Sequence, residues 1–291
     1  MIGMGAYKSN NKVFDALMKM GPVDPVLLSN PDPDFYKKLK SSMPASTRFF
    51  LKVWVDDVVW MNYLNDPFKG ARDFATLVIS QLWNLPGIAG ILTLNETPLL
   101  PEYFIVNYDI FQMEFLDIIK RQYNIPVIGM NYGVGNPQVS AATGKVSDNP
   151  FTRMYSRDRC NFIGLHLYSP PGVPMDGAGK EWFDTRIEFI DKDIKAVTSH
   201  VTQYVATEAG YSHTNDGQKG WKSAYLNNPE EYMRQLKWFD TYMRDLNFTK
   251  NIHFDGFCIF GLFGDGSWSD FDLVGSPLPK LIGDYNKGLI K

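Results

Sequence analysis

The sequence predicts an α/β fold, a single (β/α)8 TIM barrel filling residues 1–291, and three observations carry that expectation. Eight short runs rich in apolar and β-branched residues recur along the chain, as strands buried on both faces of a parallel sheet do. Amphipathic segments of helical spacing separate them. The 291 residues are close to the about 250 that one such barrel occupies, and no Pro/Gly/Ser linker, internal repeat or composition break marks a second domain.

The strand-like runs, in order, are 2–7 (IGMGAY), 25–30 (PVLLSN), 48–55 (RFFLKVWV), 87–95 (GIAGILTLN), 126–131 (PVIGMN), 161–168 (NFIGLHLY), 202–208 (TQYVATE) and 256–261 (GFCIFG). Helices are expected over roughly 12–20, 34–42, 71–85, 181–199 and 279–290. Between the fourth and fifth strands, Phe111, Phe115, Ile118 and Ile119 form one apolar stripe, while Glu114, Asp117, Lys120 and Arg121 point elsewhere. Before the eighth strand, Tyr232, Leu236, Phe239 and Met243 share a helical face. That helix opens with Asn228 as N-cap, Pro229 in the first turn and Glu231 three residues after the cap. The weakest helical pattern lies within 147–159, between the fifth and sixth strands.

The same alternation also allows a doubly wound open sheet, which normally binds a nucleotide through a glycine-rich turn after a strand. Residues 133–138 (GVGNPQ) begin that way, but they lack the third glycine and run into proline. Eight beats without a phosphate-cradling loop favour the closed barrel.

Composition removes several function classes. A net charge of −3 with no block of like charges argues against a nucleic-acid partner. No apolar run approaches the about 18 residues of a membrane span. Cys160 and Cys258 have neither metal-ligand nor redox spacing. Cys258, inside an apolar run, reads as a packing residue, and whether the two cysteines pair stays open. Four scattered histidines without a metal-binding pattern predict no catalytic metal and no cofactor. The loop GDGSWSDFD (264–272) is rich in carboxylates but lacks the spacing of an EF-hand. No leader-type segment is read at the start. Strand-like sequence begins at Ile2, which fits an excised domain as well as a chain without a leader and leaves the compartment open.

In a barrel of this kind the active site forms at the C-terminal ends of the strands. The fourth ends in Asn95-Glu96, the fifth in Asn131 and Tyr132, and the seventh in Thr207-Glu208-Ala209-Gly210. His166 and Tyr168, two apart on the sixth, share a face. Trp54, Asp56 and Asp57 follow the third, and Phe260, Phe263 and Trp268 the eighth. A glutamate that closes an apolar strand is costly unless it faces a pocket or a partner. Two of them, on strands four and seven, would face one cleft from opposite sides. Glycosidic cleavage uses such a pair: one carboxylic acid protonates the leaving oxygen while a carboxylate works from the other side.

The residues TLNETP (93–98), VATEAGY (205–211) and HLY (166–168) resemble the motifs of the clan A glycoside hydrolases, retaining (β/α)8 enzymes marked by Asn-Glu after the fourth strand and Glu after the seventh. The resemblance implies Glu96 as acid/base and Glu208 as nucleophile, with Asn95 on the sugar 2-hydroxyl. It implies Tyr168 as the residue that orients Glu208, and His166 as lining the same pocket. Asn131, Tyr132, Trp54 and Trp268 complete the expected substrate-binding set, the two tryptophans as first candidates for stacking on sugar rings. The implied partner is a β-linked oligosaccharide or polysaccharide. The sequence departs from the clan at the second strand, which ends LLSN without the usual arginine. It also departs at the third, which lacks a histidine, and at the eighth, where Phe260 and Leu262 stand in place of a tryptophan floor. The missing arginine and tryptophan keep open a sugar-binding barrel without catalysis, and a metal-dependent or Schiff-base barrel enzyme is a further alternative. For the latter, Lys52 is the one lysine well inside a strand, and its apolar neighbours leave its facing ambiguous.

Overall fold

In the computed structural model, residues 1–96, 102–133, 162–196, 203–212 and 218–290 are described. Eight parallel strands close into a barrel in sequence order, with β8 pairing back to β1. They are β1 (Gly3–Ala6), β2 (Val26–Ser29), β3 (Phe49–Lys52), β4 (Gly90–Leu92), β5 (Val127–Tyr132), β6 (Phe162–Ser169), β7 (Gln203–Tyr211) and β8 (His253–Leu262). Each falls on one of the eight runs expected from the sequence, and the fold is a (β/α)8 TIM barrel.

The outer layer forms where the apolar spacing is helical. Asn11–Met20, Pro33–Ser42, Pro67–Leu82, Glu102–Tyr123, Ala178–Lys195, Pro229–Thr249 and Leu278–Asn286 are helices. Caps fix several starts: the side chains of Asn10, Asp32 and Asn228 each accept a backbone N–H of the first turn, which satisfies donors the helix itself leaves free. Two helices escape the sequence reading, Asp57–Asn65 and the single turn Trp221–Ala224. The first carries only one buried residue, Leu64, so it lacks the apolar stripe that marks a packed helix. The region 147–159 and Cys160 lie outside the described residues. Among those residues, no helix is long and apolar enough to cross a membrane.

The period-2 alternation of the strands divides the core in two. Leu27, Phe50, Leu92, Ile128, Val205 and Cys258 pack together inside the barrel. Their strand neighbours, among them Leu28, Leu51, Ile91, Val127, Ala206 and Ile259, pack outward with the helices. Cys258 is therefore a fully buried filler, and burial pushes its thiol pKa up. The inward columns matter for function, because the last inward residue of each strand faces the top of the barrel.

Two strands break the alternation where it matters. On β7, Ala206 is opposite Leu165 but Glu208 is opposite His166, so Thr207 is an extra residue. Simple alternation from inward Val205 would send Glu208 outward, and one inserted residue turns it in. On β5, Gly129 is opposite Ile163 and Tyr132 opposite Leu165, again one residue in excess. Met130 and Asn131 take positive φ there, 65° and 41°, a conformation that non-glycine residues adopt rarely.

Candidate active site

The strand tops enclose a cavity of about 1070 Å³, walled among others by Tyr7, Lys52, Trp54, Asn95, Glu96, His166, Tyr168, Glu208, Phe260 and Trp268. Glu208 lies at its floor, only 7% exposed. The Lys52 ammonium meets Glu208 Oε1 at 2.6 Å, and the Tyr168 hydroxyl donates to Oε2 at 3.2 Å. His166 Nδ1 stands 3.7 Å from the same Oε2 and 3.0 Å from Glu96 Oε1. One ring atom thus stands close to both carboxylates, and Glu96 Oε1 and Glu208 Oε2 are no farther apart than the sum of those two distances.

Burial alone would raise the Glu208 pKa. The charges of His166 and Lys52, with hydrogen bonds from Lys52 and Tyr168, outweigh it and bring the carboxyl down to about 2. Glu208 is an anion at any ordinary working pH. Burial, and then the neighbouring Glu208 charge, push the phenols of Tyr168 and Tyr7 well up, so both remain protonated beside it. Tyr7 is close enough to feel that charge, yet its hydroxyl makes no hydrogen bond of good geometry within the described residues. Gly5 makes room for it, since a Cβ there would stand 2.6 Å from the Tyr7 ring.

Glu96 sits past the end of β4, half exposed, with its carboxyl laid over Gly133, where a Cβ would come within 3.1 Å of it. The Glu96 carboxyl is thus exposed on the cavity wall, and that of Glu208 is buried and charged at its floor. Two polar atoms of the wall, Asn95 Oδ1 and His166 Nε2, are buried without a partner among the described residues. Such orphans are costly.

Of the residues expected at the site, Glu96, Glu208, Asn95, His166, Tyr168, Trp54 and Trp268 line the cavity. Trp54 and Trp268 are both 47% exposed at its mouth. Trp54 is held by paired hydrogen bonds between its backbone and the Asn30 side chain. Trp268 packs edge-on against Phe260 and Phe271. Its loop is pinned by Asp272, which accepts the backbone N–H groups of Phe263, Gly264 and Val274.

Asn131 and Tyr132 are placed elsewhere. Both are fully buried and neither lines the cavity. The extra residue in β5 turns Asn131 into a brace. Its Nδ2 donates to the carbonyl of Asn95, and its Oδ1 accepts the Thr207 hydroxyl. It thereby links the two strand ends that carry the glutamates, while Tyr132 joins the outer core.

The sequence reading missed Tyr7 and left Lys52 undecided. Parity could have placed the lysine, since Phe50 is inside the barrel and Lys52 and Trp54 follow it at intervals of two. Arg186, buried on the helix behind, donates to the carbonyls of His166 and Gly133 and steadies the tops of β5 and β6. The carboxylates of the 264–272 loop are taken up by Lys8, Ser223 and backbone N–H groups. Among the described residues, no group of three or more His, Cys, Asp or Glu is placed to hold a metal.

No protein-family model matches the sequence, and no curated protein matches it. Solved structures are similar in fold, and those neighbours are glycoside hydrolases. The endo-β-1,4-mannanase from Thermotoga petrophila superposes with a TM-score of 0.61 at 16% identity, over 98% of this chain and 76% of that one. The endo-1,4-β-mannanase from Rhizomucor miehei gives 0.56 at 12% identity, over 99% and 94%. A β-galacturonidase from Eisenbergiella tayi gives 0.59 at 12% identity over 99% of this chain, which spans 51% of that enzyme. Identities this low establish a shared barrel and no more.

Proposed function

We propose that this chain is a retaining glycoside hydrolase of the clan A type, acting on a β-linked oligosaccharide or polysaccharide. The observation that carries the reading is the pair of strand-end glutamates that converge on one His166 nitrogen, one buried and ionised, the other open to the cavity. In this reading Glu208 attacks the anomeric carbon as Glu96 gives its proton to the departing oxygen. The C–O bond to the leaving group breaks, and a glycosyl ester on Glu208 forms. Glu96, now a carboxylate, takes a proton from water. That water attacks the same carbon, and the ester bond returns its electron pair to Glu208. Two inversions give net retention. Asn95 and His166 line the cavity that the sugar enters, and Trp54 and Trp268 stack on rings at the mouth. One catalytic domain over 1–291 suffices for this chemistry.

The test is a screen of aryl β-glycosides and polysaccharides, with β-mannans and β-uronides first because the neighbours in fold act on them. The anomer formed first is read by NMR. Retention is expected. Glu208→Ala should lose most activity, and azide should restore turnover of an activated aryl glycoside as a glycosyl azide of opposite configuration. An inverted first product would make Glu208 a base that activates water. Sugar binding without turnover, unchanged by Glu208→Ala, would favour a non-catalytic sugar-binding barrel instead.

A further inference from the structure

In the closed strand order, β3 and β7 lie diametrically opposite. Lys52 closes β3, faces inward and reaches across the barrel to Glu208 on β7, where ammonium and carboxylate meet at 2.6 Å. Their side chains are 4% and 9% exposed, so water screens the pair little. The Lys52 ammonium also lies 5.2 Å from the centre of the Tyr7 ring, a face that favours a cation. The other ionisable groups around Glu208 are Tyr7 after β1, His166 and Tyr168 on β6, and Cys258 on β8 beneath it, with Glu96 beyond His166. Lys52 is the one lysine or arginine within salt-bridge distance of Glu208 among the described residues.

We propose that Lys52 is the positioning residue of the nucleophile: it holds the Glu208 carboxylate charged and aimed, and it promotes release of the glycosyl ester. The inference rests on Glu208 as nucleophile. Its second half follows from charge balance. When Glu208 bonds to the anomeric carbon it becomes a neutral ester, and a buried ammonium loses its counter-ion. Hydrolysis restores the anion and the pair, so Lys52 raises the energy of the intermediate relative to the free enzyme and speeds the second step. A paired ammonium of this kind is also no nucleophile, which separates it from a Schiff-base lysine.

The test uses Lys52→Met, Lys52→Gln and Lys52→Arg with a dinitrophenyl β-glycoside that the wild type turns over, folding being checked by near-UV circular dichroism. In the Met and Gln variants the acid limb of kcat/KM, which reports Glu208 in the free enzyme, should move up by about one pH unit or more. Their kcat should fall about tenfold or more, KM should fall with it, and a burst of dinitrophenolate should precede the slow steady state. Lys52→Arg should restore most of the rate. A folded Met or Gln variant whose acid limb stays at the wild-type position overturns the proposal. Loss of folding in both would assign Lys52 to the scaffold and overturn it as well. Glu208→Ala on the same substrate separates the two readings. If it turns over like wild type, the nucleophile assignment fails. If it is inactive while the Lys52 variants keep the wild-type profile, only the role of Lys52 fails.

Discussion

A carboxylate as deep as Glu208 loses several kcal/mol of hydration, which only a matching charge with good geometry returns. Lys52 and Glu208 answer each other's burial, with Tyr168 as a further donor. Glu208→Ala therefore does more than remove the proposed nucleophile, because it strands an ammonium inside the barrel. The expected cost is about 3–5 kcal/mol, read as a lower urea midpoint at unchanged slope. The double variant Lys52→Met/Glu208→Leu, which removes both charges, should recover most of that loss. A single variant within about 0.5 kcal/mol of wild type, the range of inert surface changes, would mean that water reaches the pair.

At the scale of elements, the site depends on two strands that each carry one residue too many. The bulge in β7 turns Glu208 inward, and the one in β5 swings Asn131 across to the ends of β4 and β7. Asn131 supplies no wall to the cavity, so its replacement tests the brace rather than binding. Asn131→Ala leaves the Thr207 hydroxyl and the Asn95 carbonyl without their buried partner, at about 1–3 kcal/mol. It also frees the strand ends that set the spacing of the glutamates. The expected kinetic result is a kcat lowered about tenfold or more with KM nearly unchanged, since a misplacement of about 1 Å in reacting groups can cost a hundredfold. A variant that raises KM and keeps kcat would instead put Asn131 in contact with substrate.

For the whole molecule, the cross-barrel pair links acid stability to the cavity floor. The carboxyl of Glu208 sits at about 2 in the folded chain against an ordinary 4.5. Its contribution, on the order of 3 kcal/mol, is thus complete above the unfolded value and fades as pH falls from about 4.5 through about 2. Asp265 is also lowered to about 2, chiefly by hydrogen bonds from Ser267 and then by Lys8, but it lies on the surface and adds little. Urea midpoints between about pH 7 and pH 2.5 should therefore fall more steeply for wild type than for Lys52→Met/Glu208→Leu. Parallel curves would show that the pair does not carry the acid sensitivity.

The repeating order of the chain is written in its amino-acid pattern. Buried parallel strands read as continuous apolar runs, and packed helices as stripes, so eight strands, the capped helix at Asn228 and the closed barrel were legible without coordinates. Glu96 and Glu208 were legible too, as charges ending apolar strands where water or a partner must meet them. Facing was not. Side-chain direction follows strand parity only until an extra residue resets it, and neither the bulge at Thr207 nor the one at Met130–Asn131 has a local signature. Asn131 and Tyr132 were for that reason expected on the cavity wall and are in fact a buried brace and a core residue. Lys52 on β3 and Tyr7 just after β1 lie far from Glu208 along the chain, and their strands are four and two places from β7 around the barrel. Closure brings them together, and only the tertiary structure could decide that the lysine of the third strand holds the glutamate of the seventh.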